Sequence, residues 1–418
     1  MERESYPPFN TGKSFDILSQ FAERANKLKQ SEIRNLFSVA NRPDIISLAG
    51  GMPNLEDLDF KKIDSLISEI ILSEGNTALQ YGGGQGLPLL REQITEIMAL
   101  EGIKSHSEDI ILTTGSQQAL DLTARLFINP GDVILVESPS YVGALGTFMQ
   151  YQPEIIHLPT DEDGIIPELL EESLIANIKA GKKTKFLYLV PNFQNPSSAT
   201  LTLARRVAII ELAKKYSFFI LEDNPYGLLY FETPPPPALR SLNEEHVIYL
   251  GTFSKTFAPG LRVGWALVPH SLREKFIIAT ENSNLSLSNL NQMVISAYLS
   301  ETPYQEQIRK FAIKYAEKSA LAISALKKYS PSEVKYTTPK GGFYLWLTLP
   351  PSIDANKLLP LAIINKVAYV PGTAFYANKN GNHNLRLSFC YPKPEQITRG
   401  VQILGELLSA EVALKNKN

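Results

Sequence analysis

The chain has 418 residues, 44% hydrophobic and 20% charged, the balance of a folded globular protein long enough for a large domain plus a smaller one. A formal net charge of -2 and a pI near 6.3 supply no drive toward nucleic acid or anionic membranes. The one cysteine, Cys390, excludes an intrachain disulfide and any CxxC metal site.

Residues 1–20 are polar and lack the apolar centre of a signal peptide, and no apolar run approaches the length that spans a bilayer. A cytoplasmic protein is expected. The five histidines (His106, His157, His246, His270 and His383) lie far apart without HExxH-like spacing, so no metal is expected. Pro234 to Pro237 form a stiff, extended turn.

In chain order, residues 110–113 read as a strand and Gly115-Ser116 opens a helix to about Phe127. Further strands are expected at 133–137, 186–190, 218–222, 247–251 and 263–268, with a helix over 205–215 before the strand at 218. Strands alternating with helices predict an α/β fold around a mainly parallel sheet, its strands apolar on both faces. Beyond 305 the pattern changes. Ile308, Phe311, Ala312, Tyr315, Ala316, Ile323 and Leu326 recur at helical spacing, and short strands follow near 343–347, 368–371 and 385–389. The expected division is a large domain over 56–305 and a small α+β domain over 306–418, which the N-terminal segment 1–55 joins.

Ligands of open α/β sheets sit at the carboxyl ends of the strands. Thr114-Gly115-Ser116-Gln117-Gln118 follows the first strand at a helix start, where free N–H groups and the helix dipole suit a phosphate. A serine there also serves as an ordinary N-cap. Pro139-Ser140-Tyr141 follows the second strand and offers an aromatic for a planar ring or for the core. Asn195, held before Pro196, carries an amide that can donate to a ligand oxygen or simply mark a turn. Glu222-Asp223 ends the fourth strand, where a buried acid needs a cationic partner. Lys255 follows the fifth strand beside Thr252 and Ser254, and a depressed pKa would make it a Schiff-base amine. Arg262, seven residues on, suits a dianionic phosphate. A lysine, a phosphate cradle, an acid and an aromatic gathered at strand ends describe pyridoxal 5'-phosphate.

These residues resemble the fold type I pyridoxal-phosphate enzymes of the class I/II aminotransferase family, and within it the 2-aminoadipate and kynurenine aminotransferase-like branch. The resemblance runs from about Arg34 to Phe389 in the family's order. It is carried by Ile46-Ser47-Leu48-Ala49-Gly50-Gly51-Met52-Pro53, Leu79-Gln80-Tyr81-Gly82, Thr114 to Gln118, Pro191 to Pro196, Glu222 to Gly227, Gly251 to Gly264, and Asn384-Leu385-Arg386-Leu387-Ser388-Phe389. It implies that Lys255 carries the cofactor and moves the substrate proton, and that Asp223 pairs with the ring nitrogen. Asn195 and Tyr226 would bond the ring's phenolic oxygen, with Asn195 also near substrate, and Tyr141 would stack on the ring. Gly115, Ser116, Gln117, Thr252, Ser254 and Arg262 would hold the phosphate, joined by Tyr81 from a partner subunit. A homodimer with shared sites is therefore implied. Arg386 would take the substrate α-carboxylate, assisted by the Gly51 backbone.

Two departures stand out. The family commonly has Asn-Pro-Ser/Thr-Gly, whereas Asn195-Pro196-Ser197-Ser198 lacks the glycine, so that loop is expected to sit differently. Gly82-Gly83-Gly84 leave the partner-reaching loop few side chains. Ser31-Glu32-Ile33-Arg34 resembles the stretch from which relatives clamp the distal carboxylate of glutamate or 2-aminoadipate, giving Arg34 that role or that of a solvated helical arginine. The expected activity moves an amino group from an L-amino acid to a 2-oxo acid such as 2-oxoglutarate. Two alternatives stay open: a decarboxylase or β-lyase of the same fold, and an effector-sensing domain of the kind fused to DNA-binding modules. The latter is disfavoured by the roughly fifty residues before Ser47-Leu48-Ala49-Gly50-Gly51.

Overall fold

The near-continuous apolar runs of the middle chain become the inner strands of a sheet covered on both faces, seen in a computed structural model that describes residues 16–26 and 42–415. The strands in chain order are β1 (Ile46–Ser47), β2 (Ile110–Thr113), β3 (Val133–Ser138), β4 (Glu154–Asp161), β5 (Gly164–Ile165), β6 (Thr184–Leu189) and β7 (Phe219–Asp223). They continue with β8 (Val247–Thr252), β9 (Gly264–Leu267), β10 (Lys335–Tyr336), β11 (Tyr344–Thr348), β12 (Val367–Ala368), β13 (Val370–Pro371) and β14 (Asn384–Ser388). The large sheet has the order β2-β9-β8-β7-β6-β3-β4-β5.

Side-chain alternation divides its two faces. Val133, Leu135, Leu187, Leu189 and Ile220 pack with Leu170, Leu174, Ile209 and Ile210 of the helices Pro167–Lys179 and Leu203–Tyr216. Ile134, Val136, Phe186, Tyr188 and Leu221 pack on the other side with the helices Ser116–Phe127 and Val142–Met149. Each such buried aliphatic or aromatic side chain contributes about 1.5–3 kcal/mol relative to exposure.

Direction matters for the site. Strands β3, β4, β6, β7 and β8 pair parallel, whereas β9 is antiparallel to both β8 and β2. The loop from β8 back to β9 is too short for a helical crossover, so the chain must return antiparallel. Because β2 is antiparallel to β9 in turn, β2, β3, β6, β7 and β8 all end on one edge. Arg262, just before β9, lies at that same edge, as Thr113 and Thr252 both pair with Gly264.

Four strands were not anticipated, β1 and β10 of two residues each and, in the large sheet, β4 and β5. Only Leu158 of β4 is buried, and β5 is two residues long, so neither forms the buried apolar run of an inner strand. The expected strand at 368–371 is divided around Tyr369: β12 pairs parallel with β1, and β13 pairs with β14. The helical spacing beyond 305 appears as one helix, Tyr304–Tyr329, packed against the helix Pro394–Lys415. The second sheet, β10-β11-β14-β13, is antiparallel and carries Arg386 in an interior strand, opposite Trp346 and Val370. Pro234 to Pro237 are irregular, as expected of a proline run. Among the described residues no helix is long and apolar enough to cross a membrane.

Candidate active site

The edge where the parallel strands end gathers the buried polar side chains. Glu222 and Asp223 are consecutive on β7, so they leave opposite faces of the sheet. Glu222 accepts from the backbone N–H groups of Leu239 and Arg240 at 2.9 and 2.8 Å and is fully occupied as an anchor for that turn. Asp223 differs. It is 3% exposed, its Oδ2 accepts from the Tyr188 hydroxyl at 2.9 Å, and its Oδ1 has no partner. Burial raises its carboxyl to about 7, against the Tyr188 hydrogen bond and Lys255, which lower it. A buried carboxylate with an orphaned oxygen is a socket for a cationic ring nitrogen.

Lys255 is partly buried, and its Nζ donates to the Gly51 carbonyl at 2.9 Å. Burial pulls its amine down to about 8; Arg386 and Arg262 push the same way, opposed by Cys390 and Asp223. Part of the population is therefore the free amine that attacks a carbonyl near neutral pH.

Between β2 and the helix Ser116–Phe127, Gly115 takes φ +81°, and a side chain there would strike the Arg262 guanidinium at 2.5 Å. Arg262 donates to the Thr114 carbonyl at 2.9 Å and to Ser254 Oγ at 3.3 Å, and Thr252 Oγ1 donates to Ser254 Oγ at 2.9 Å. The first N–H groups of the helix, at Ser116 and Gln117, have no intrahelical acceptor. The result is an open, positive cradle with hydroxyls, fit for a phosphate.

Arg386 comes from the small sheet. It is 2% exposed, and among the described residues no carboxylate pairs with it. Its Nη1 donates to Asn195 Oδ1 at 2.8 Å and its Nη2 to the Ala49 carbonyl at 2.6 Å, while Nε is unpartnered. Tyr344 and Phe375 flank the guanidinium, their ring centroids 4.2 and 5.1 Å away. A buried cation without a counter-ion marks where an anionic ligand belongs. The Asn195 loop is itself anchored by buried Arg206, which donates to Asn192 Oδ1 and the carbonyls of Leu201 and Pro237.

The sequence profile of the family described as aminotransferase class I and II matches residues 43–404. The chain belongs to the class I and II aminotransferases. It is 40% identical to aromatic-amino-acid aminotransferase 1 of Thermococcus litoralis over 96% of both chains. It is 35% identical to the 2-aminoadipate transaminase of Thermus thermophilus, covering 94% of this chain and 98% of that one. Among solved structures, kynurenine aminotransferase of Pyrococcus horikoshii, in complex with PMP, superposes with a TM-score of 0.90 at 39% identity, over 95% of this chain and 99% of that one. The aminotransferase is thus a pyridoxal-phosphate enzyme of fold type I, acting on amino acids and 2-oxo acids.

Within the aminotransferase, most residues singled out in the sequence converge on this edge. Tyr226 is buried, with its hydroxyl on Tyr344, and Tyr141 folds its ring over Gly143, where a side chain would meet it at 2.5 Å. The Gln117 side chain donates to the Gly143 carbonyl and Thr147 Oγ1, so its backbone N–H is the donor at the helix start that faces no protein acceptor within the helix. Tyr81 is 75% exposed, just past the helix Phe60–Ala78. Arg34 lies outside the described residues.

Ser198, where a glycine was expected, takes φ +64°, the left-handed conformation glycine favours. Its Oγ donates to the Tyr344 carbonyl at 2.6 Å, so the loop keeps a glycine-type turn and gains a tether. Residues that the sequence reading passed over are Tyr188, Tyr344 and Phe375. Tyr188 lay on an expected strand, but that it shares a face with Asp223 follows from its pairing with Leu221, two residues before Asp223. Tyr344 and Phe375 come from segments distant in sequence and had none.

Proposed function

We propose that this aminotransferase moves the amino group of an L-amino acid with a large side chain, aromatic or 2-aminoadipate-like, to 2-oxoglutarate. The single observation that carries the site is the pairing of a depressed lysine amine with a buried, half-partnered carboxylate, Lys255 and Asp223. The side-chain class is supported by the names of relatives that act on aromatic amino acids, 2-aminoadipate and kynurenine.

When bound, pyridoxal phosphate supplies a reactive aldehyde and a ring that withdraws electrons from the substrate Cα. Lys255 would hold the cofactor through its amine and move the proton at that carbon. Asp223 would pair with the ring nitrogen, Asn195 and Tyr226 would bond the ring's phenolic oxygen, and Tyr141 would pack on the ring. Gly115, the N–H groups of Ser116 and Gln117, Thr252, Ser254 and Arg262 hold the phosphate. Arg386 takes the α-carboxylate bidentately, drawing one nitrogen from Asn195 or Ala49, and Gly51 offers its backbone beside it.

The same proposal divides the chain into 1–55, 56–305 and 306–418, with the first segment serving the last through the β1–β12 pair. It includes a homodimer in which Tyr81 reaches the partner's phosphate site, and Arg34 as the clamp for a distal carboxylate. A cytoplasmic location is consistent with a lone, buried cysteine, Cys390.

The test joins labelling with a donor screen. Borohydride reduction of the loaded protein is expected to fix cofactor to a single peptide containing Lys255, and Lys255→Ala to abolish the attachment. Glutamate release from 2-oxoglutarate is expected with aromatic or 2-aminoadipate donors. Attachment elsewhere sinks the site, and turnover confined to small donors sinks the substrate class.

A further inference from the structure

Two phenols meet at the centre of the site. The Tyr226 hydroxyl donates to that of Tyr344 at 3.3 Å, with the rings nearly perpendicular at 88°. Tyr344 is 3% exposed and makes three contacts from three parts of one side chain and its backbone. Its ring face lies 4.2 Å from the Arg386 guanidinium carbon. Its hydroxyl fills the space a side chain on Gly51 would need, 2.1 Å from that position. Its carbonyl accepts from Ser198 Oγ, which ties it to the Asn195 loop. A phenylalanine would cover Arg386 with the same ring and nearly the same volume. The hydroxyl is the feature that needs a reason, because a buried hydroxyl is costly unless bonded.

We propose that Tyr344 is a positioning residue that donates its proton to the Tyr226 oxygen when Tyr226 donates its own to the cofactor's ring oxygen. This rests on the reading of Tyr226 given above. A phenol proton rotates about the C–O bond, so the pair can reverse direction without moving a heavy atom. In the reversed direction Tyr226 both accepts and donates. Hydrogen bonds chained in this way polarise and strengthen one another where the surroundings are apolar. A stronger Tyr226 donor stabilises negative charge on the ring oxygen, and so lowers the pH at which the bound chromophore loses its proton. The rings of Tyr344 and Phe375 meanwhile pack on the Arg386 guanidinium, 4.2 and 5.1 Å away, and restrict its orientation toward a carboxylate. One side chain thereby couples the cofactor end of the site to the carboxylate end.

The experiment uses the loaded enzyme and follows the visible absorption of bound cofactor against pH, with KM and kcat measured separately. Tyr344→Phe keeps the ring and removes only the hydroxyl. It is expected to raise the absorbance midpoint by roughly half a pH unit, the size of one neutral hydrogen bond, with KM for the amino donor within about twofold of wild type. Tyr344→Leu removes the ring as well, and is expected to add a rise in donor KM of about tenfold as Arg386 loses its support. In a Tyr226→Phe background, Tyr344→Phe is expected to add no further shift. A titrating wild type whose midpoint is unmoved by Tyr344→Phe overturns the relay alone, as does a shift that persists undiminished without the Tyr226 hydroxyl. A wild type that shows no cofactor absorption overturns the reading of the whole site, and the relay with it. If the leucine variant fails to fold, the phenylalanine pair still decides the relay.

Discussion

At the scale of single residues, burial sets the chemistry by opposing charge. Lys255 is held below and Asp223 above their ordinary values chiefly by loss of water. Glu137 and Glu101 are also pushed up by burial, to about 8 and about 7. A carboxyl whose folded pKa is raised stabilises the fold in its neutral form, so that stability is complete below about pH 4. It is lost as pH rises to about 7 for Asp223. The cofactor-free protein should therefore be less stable at pH 8 than at pH 5. Asp223→Asn should remove up to about 3 kcal/mol of that difference, since the carboxyl's contribution between pH 5 and about 7 spans roughly two pH units. Urea titrations of both proteins at the two pH values measure it, and an undiminished difference in the variant would mean that Asp223 is solvated. The same substitution should weaken cofactor retention, since the orphaned Oδ1 would no longer answer a cationic ring nitrogen.

At the scale of elements, the Asn195 loop shows how a local rule can be met by another residue. Ser198 carries the strain of φ +64° and gains the hydrogen bond to the Tyr344 carbonyl. Ser198→Gly removes strain and bond together, and the two losses, each about 1 kcal/mol, nearly cancel. Ser198→Ala keeps the strain and loses the bond. The glycine variant is thus expected to be more stable than the alanine variant by about 1 kcal/mol, read from thermal or urea unfolding. Equal stability of the two would falsify the strain argument. The motif's missing glycine was visible in the sequence as a departure. That the serine would adopt the glycine conformation was not, because its compensating acceptor lies 146 positions away in the chain.

At the scale of the whole molecule, large apolar side chains around Tyr81 stay exposed. Leu72, Leu79, Tyr81 and Leu285 are each at least 60% exposed. The segment of Leu79 and Tyr81, at the end of the helix that carries Leu72, is held against that of Leu285 by the bonds of Asn289 to the Thr77 and Gln80 carbonyls and of Gly82 to Ser286. Such a patch suits a subunit interface, and Tyr81 within it is the residue proposed to enter the partner's site. Sedimentation equilibrium is expected to give twice the 46.5 kDa chain mass. A Leu72→Glu and Leu79→Glu double variant should shift toward the single-chain mass and retain cofactor less well. A wild-type protein that sediments as a single chain would dispose of the shared site.

The alternation of strands and helices in the middle of the chain and the mainly parallel sheet were legible in the sequence itself. Each is encoded locally, in the period of apolar residues and in the few residues that follow each strand. Lys255 and Asn195, which follow strands, and Asp223, which ends one, were singled out for that reason, whereas Arg386 lies inside β14 and was singled out by the family resemblance. Tertiary structure decided which of Glu222 and Asp223 is free, because only the pairing of Glu222 with the turn at Leu239 and Arg240 uses one of them up. It also decided that Gln117 points into the neighbouring helix, and that Tyr344 sits between Tyr226, Gly51 and Arg386. Those facts depend on which distant segments meet, and distance along a chain carries no local pattern to read. Lys255, the first candidate that strand ends suggest, has its amine depressed chiefly by a burial that only the fold brings about.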